Sequence, residues 1–181
     1  MSLSDSPRTH VTGPADLAAL AGAWRLEPAD STVEFTGRHF FFLPVKGCLP
    51  VRAGRAELAA DGGLARLEVA VGAAGFESGN PQRDAAVRGA KFLHAERHPE
   101  LLYTGQRVAG DGELSVTGLL EVKERQVPVP FTVTEVAVRD ERVTVRATAR
   151  VDRHAFGVGA MRGLVGAALE VRVRAVFVRD V

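Results

Sequence analysis

The chain has 181 residues, 46% of them apolar, which is enough for one ordinary hydrophobic core and gives no sign of a second. Lysine and arginine number 23 against 22 for aspartate and glutamate, and this formal charge of +1 offers no electrostatic case for nucleic acid or an anionic membrane surface. Cys48 is the single cysteine, so no internal disulfide forms and the chain does not depend on an oxidising compartment.

Residues 1–22 read as a flexible amino-terminal arm, ahead of a barrel domain over residues 23–181. The arm ends in Pro14-Ala15-Asp16-Leu17-Ala18-Ala19-Leu20-Ala21-Gly22, room for a turn or two of helix. Only Arg8 precedes these residues and Asp16 interrupts them, a poor match to a secretory leader. No stretch approaches the roughly 18 to 20 apolar residues of a membrane span. The expectation is a cytoplasmic protein with no integral membrane segment.

From Trp24 onward apolar and polar residues alternate, which puts one face of each strand on a core and the other in water. The first strand covers Trp24 to Phe40, with a kink or bulge at Pro28-Ala29-Asp30-Ser31. A second runs from Pro44 or Gly47 to Ala59, and Asp61-Gly62-Gly63 turns it into a third, Leu64 to Ala74. A loop holding Gly79, Asn80 and Pro81 leads to helix formers over Arg83 to Lys91. Strands then follow at Leu101 to Val108, Glu113 to Val122, Val127 to Val138, Val143 to His154 and Ala167 to Val178. Eight half-buried strands left as an open sheet would expose an apolar face and two edges, so the pattern predicts an all-β, eight-stranded antiparallel barrel with one short helical crossover.

The inward face is almost free of charge: Val33, Phe35, Leu67, Val69, Val71, Leu101, Tyr103, Leu114, Val116, Leu120, Val129, Phe131, Val145, Val151, Leu169, Val171, Val173 and Phe177. Gly37, Ala73, Gly118, Ala147, Ala149 and Ala175 share it, and such small residues either leave volume for a ligand or let strands approach closely. Three consecutive phenylalanines, Phe40-Phe41-Phe42, cannot all point inward, so at least one of them belongs at a mouth or an interface.

Catalytic and metal patterns are weak. His94 and His98 have the helical spacing of a zinc pair, but Pro99 ends any helix and no third ligand is evident. His39 and His154 read as hydrogen-bonded strand residues, and Cys48 as an inert thiol. Gly157-Val158-Gly159 lies between strands and reads as a turn. Arg83-Asp84 and Asp152-Arg153 read as structural ion pairs that fix loops at a barrel end.

Four segments taken together resemble the YceI family. They are Trp24-Arg25-Leu26-Glu27-Pro28-Ala29-Asp30-Ser31-Thr32-Val33-Glu34-Phe35 ending near His39; Arg83-Asp84 followed by Phe92, Ala95, Pro99 and Tyr103; Gly118-Leu119-Leu120 before Val127; and Asp152-Arg153-His154-Ala155-Phe156-Gly157-Val158-Gly159. The likeness spans Trp24 to Val178, with departures at Val87-Arg88-Gly89-Ala90, Leu93-His94 and Glu121-Val122-Lys123-Glu124-Arg125. It implies a lipocalin-like barrel that binds a polyisoprenoid or quinone tail without catalysis and with no other cofactor.

The expected site is the barrel interior: Val33, Phe35, His39, Phe42, Leu67, Val69, Val71, Leu101, Tyr103, Val116, Leu120, Phe131, Val145, Val151, Arg153, Leu169, Val171 and Phe177. A head group is expected to meet Tyr103, His39 or Arg153 near a mouth. Two alternatives stay open. One is an enzyme acting on a hydrophobic substrate through His39, His154 or Cys48; the other is a ligand-free homodimerisation module that uses Phe40 to Leu43.

Overall fold

The computed structural model describes residues 9–11, 13–39, 43–110, 113–161 and 166–181. The strands are β1 (Thr9–His10), β2 (Gly22–Leu26), β3 (Thr32–His39), β4 (Leu43–Leu58), β5 (Leu64–Gly72), β6 (Glu100–Ala109), β7 (Leu114–Val122), β8 (Arg125–Pro128), β9 (Phe131–Arg139), β10 (Arg142–Asp152) and β11 (Ala168–Arg179). Two short helices join them, α1 (Pro14–Leu17) and α2 (Pro81–Arg88). Every pairing is antiparallel. Strands β2 and β3 share one lane, each pairing with β4 on one side and β11 on the other. Strands β8 and β9 share another beside β7. Counted by lane, eight strands close into a ring that is not evenly disposed about its axis, the barrel expected from the alternation.

The first lane breaks where Pro28–Asp30 forms a 3-10 turn, and a side chain mends the ladder across the break. The Ser31 hydroxyl donates to the Glu27 carbonyl at 2.7 Å and accepts the Val176 N–H at 3.0 Å. The Glu27 N–H reaches the Val176 carbonyl at 2.8 Å. A Pro-x-x-Ser sequence thus lets the strand change direction without orphaning the β11 backbone. The lane expected as one strand, Val127 to Val138, is split at Val129-Pro130. Pro128 and Pro130 have no N–H for a ladder bond, and the intervening Val129 N–H turns to the Gly118 carbonyl at 2.9 Å.

Irregularities also change which residues face inward. The register slips between Val51 and Ala53, between Glu57 and Leu58, between Gly105 and Arg107, and opposite Arg146/Ala147. Each extra residue reverses the alternation downstream, because side chains repeat every second position.

The crossover leaves β5 at Gly72 and enters β6 at Glu100, which are paired. Within it α2 begins at Asn80, whose side chain accepts the Arg83 N–H at 3.0 Å, with Pro81 at the first helical position. The expected helix, Arg83 to Lys91, is shifted: Gly89 ends it after Arg88. The crossover covers one end of the barrel, where Phe76, Ala95, Phe156 and Val158 are buried in the core and the Phe76 ring lies over Gly47.

Residues of the expected arm pack on the other end. Leu17 and Leu20 are buried there, and β1 pairs with β9.

Candidate functional site: an apolar cavity in the barrel

Between its filled end and the amino-terminal segment the barrel holds a cavity of about 230 Å³. That exceeds the roughly 150 Å³ of an apolar cavity that stays dry and admits benzene, and falls below the roughly 300 Å³ at which drug-sized pockets begin. It is therefore sized for a length of apolar chain.

Among the residues expected at the site, Val33, Phe35, Leu67, Val69, Val71, Leu101, Tyr103, Val116, Leu120, Phe131, Val145, Val171 and Phe177 line the cavity. Val151, Leu169 and Arg153 do not. Val151 is buried in the core outside it. Leu169 turns its side chain toward Gly37, on the same face as Val171 and Val173 but outside the lining. The His39 backbone pairs with that of Leu43 in the β3–β4 ladder. Phe42, with Phe40 and Phe41, lies outside the described residues.

Small inward residues divide into two kinds. Ala147 and Ala175 line the cavity, as the reading of spare volume expects. Gly37 and Gly118 are instead filled by neighbours, since a Cβ would lie 2.9 Å from Leu169 Cδ2 at the first and 2.7 Å from the Tyr103 ring and hydroxyl at the second.

Among the described residues the lining carries two polar side-chain groups, and the backbone engages both. The Tyr103 hydroxyl donates within reach of the Val129 carbonyl at 2.9 Å and the Val116 carbonyl at 3.3 Å, and the ring meets Phe131 edge-on at 5.1 Å. Burial pushes its hydroxyl up to about 12. The Trp24 indole N–H donates to the Leu20 carbonyl at 2.8 Å, and the Arg179 guanidinium stacks 4.1 Å above the indole ring. Neither group offers a free donor to a head group.

Arg153, the other expected head-group contact, is a buried organiser of its loop. It donates to the carbonyls of Gly166, Val158 and Ala160 at 3.0, 2.9 and 2.8 Å and lies over the Phe92 ring. Asp152 caps the following turn by accepting the His154 N–H at 2.9 Å. Asp84 is likewise buried and accepts from the Ser78 N–H at 2.9 Å and the Ser78 hydroxyl at 2.5 Å. The loop fixing expected of these residues includes bonds to backbone groups and to a serine hydroxyl.

Of the side chains named for an enzyme, Cys48 is exposed, and His154 is not in the lining, its Nε2 buried with no hydrogen-bond partner among the described residues. The His94 and His98 rings lie 5.8 Å apart, and among the described residues no group of three or more His, Cys, Asp or Glu is placed to hold a metal.

Sequence alternation missed Leu17, Leu20, Trp24, Leu49, Ala56, Leu58, Leu64, Val108, Val133, Val136 and Val143, all of which line the cavity. Trp24 and Leu49 lie in phase with Leu26 and Val51 and were legible from alternation. Leu58, Leu64, Val108 and Val136 come inward beyond register slips, for which the sequence shows no signal.

A closed antiparallel barrel with an apolar interior defines the lipocalin-like class. The YceI-like domain model matches residues 24–177, so the chain belongs to the YceI family. Burkholderia cenocepacia BcnA is similar in structure, with a TM-score of 0.72 at 20% identity over 83% of this chain and 98% of that one. So is a polyisoprenoid binding domain from Saccharophagus degradans implicated in plant cell wall breakdown, with a TM-score of 0.65 at 10% identity over 87% of this chain and 98% of that one. At these identities the likeness is one of fold. No curated protein matches in sequence. Among the described residues no helix is long and apolar enough to cross a membrane.

Proposed function

We propose that this protein binds and carries an apolar molecule of isoprenoid type, a polyprenyl or quinone tail, inside its barrel and leaves it chemically unchanged. The observation that carries the reading is the cavity of about 230 Å³ lined by hydrophobic side chains, in which both polar groups are already held by backbone carbonyls. A lining of this kind disfavours polar ligands, whose desolvated atoms would find no partner among its described residues. Each buried methylene contributes roughly 0.8 kcal/mol before ordering costs, so affinity grows with the length of tail enclosed. The YceI family and the Saccharophagus degradans polyisoprenoid binding domain support the ligand class. The reading places the carrier in the cytoplasm, where cell fractionation would find it.

Trp24 is the only tryptophan and lines the cavity, so its fluorescence reports occupancy directly. Saturable quenching by a short-chain prenylated quinone is expected, together with a lipid recovered by organic extraction and mass spectrometry. An empty extract from protein purified without detergent, combined with no quenching, overturns the reading.

A further inference from the structure

Barrel strands have their neighbours on both sides, but the segment before them is held differently. β1 joins β9 through two paired residues, and the Val11 N–H then reaches the Val136 carbonyl at 3.1 Å. The chain reappears at β2, which lies between β4 and β11, three lanes round the ring from β9. Residues 13–21 therefore cross the end of the barrel opposite the helical crossover. On the way Leu17 and Leu20 are buried and enter the cavity lining. The crossing is made by a four-residue helix, with Gly13 at its N-cap, and one 3-10 turn. At its far end the Leu20 carbonyl accepts from Trp24 and the Ala21 carbonyl from Arg179 at 2.8 Å. Residues 13–21 lie ahead of residue 24, where the family match begins.

We propose that this segment is a strap across the cavity mouth, and that Leu17 and Leu20 decide which ligands enter and how long a tail is enclosed. The proposal rests on the carrier reading. Three features support it. The strap supplies two lining residues, so the cavity is closed at that end only while the strap is seated. Among the described residues it runs across the mouth as short helical turns and is not paired along its length as the strands are, which puts it among the segments that open at low free energy. The opposite end is filled by Phe76, Ala95, Phe156 and Val158, leaving the strapped end as the route in.

The test locks the strap. His10 and Ala137 are directly opposed between β1 and β9, and cysteines at both positions, in a Cys48→Ser background of the full chain, can form a disulfide across the pair. Thiol titration checks that it has formed. Prenylated quinones with tails of increasing length are followed by Trp24 quenching, and acrylamide quenching of Trp24 is measured without them. Oxidation is expected to slow quinone entry about tenfold or more and to shield Trp24 from acrylamide, with both reversed by reductant, as for a gating lid. In a second variant, Leu17→Ala with Leu20→Ala, entry quickens and the preferred tail lengthens. Equal entry and equal acrylamide access in the oxidised and reduced forms overturn the strap. Should no quinone bind in any form, the carrier reading fails, and acrylamide access alone then decides whether the strap is a gate.

Discussion

Tyr103 and Gly118 show how the cavity wall is set at the level of single residues. Tyr103 is the only tyrosine, so alkaline titration of tyrosinate absorbance reads it without ambiguity. Its ionisation is expected near pH 12 in the folded protein, above the ordinary value of 10.0, because burial disfavours the phenolate. A folded-state value raised in this way makes a stabilising contribution that is complete below pH 10 and is lost as the pH rises toward 12, since the unfolded chain releases its proton first. Urea unfolding across that interval should show the decline, and Tyr103→Phe should lessen it. Gly118→Ala would put a Cβ 2.5 Å from the Thr104 carbonyl and 2.7 Å from the Tyr103 hydroxyl. Overpacking of this kind should destabilise by about 1–3 kcal/mol in denaturant melts and displace the tyrosine from its two carbonyl partners.

At the level of elements, the informative places are those where a strand stops and a side chain takes over. Ser31→Ala leaves the Val176 N–H without its partner at the break between β2 and β3, and a loss of about 1–3 kcal/mol is expected by thermal or urea unfolding. Arg153→Met removes the donors to three carbonyls of the loop between β10 and β11. Losses of about 2–4 kcal/mol are expected, because each buried carbonyl left alone is itself a penalty. Hydrogen exchange should then rise around residues 158–160 and at Gly166, while β4, β5 and β6 keep their protection. The Pro-x-x-Ser and Asp-Arg-His-Ala-Phe-Gly segments were visible in the sequence as motifs. Their purpose, repairing a ladder and gathering carbonyls, became visible only when the groups they serve were placed.

For the whole molecule, the open question of the alternation was whether the tube is hollow or filled. It is both: one end is packed by the crossover and by the turn at Arg153–Phe156, and the other holds the cavity. Filling that space should separate stability from binding. Ala147 lines the cavity, so Ala147→Leu is expected to keep or raise the melting temperature while weakening prenyl-quinone quenching of Trp24 at least about tenfold, roughly 1.4 kcal/mol. A drop in melting temperature with binding unchanged would mean that residue 147 packs against protein and not against ligand.

The order of the strands, the crossover between Gly72 and Glu100 and the central lining from Val33 to Phe177 were all legible in the sequence. Side-chain direction in a strand is a local property repeating every second residue, and turn residues mark where it restarts. What the sequence did not disclose depends on contacts between distant residues. Bulges after Val51 and opposite Arg146 reverse the alternation without any compositional mark, and so bring Leu58 and Val136 inward. Tyr103 and Arg153 looked available to a head group until the carbonyls of Val129 and Gly166 were found against them. Leu17 and Leu20 looked like part of an arm because four residues of helix carry little intrinsic stability. Only a barrel mouth lined with hydrophobic side chains gives them a surface to cover, and that mouth exists only once the ring has closed.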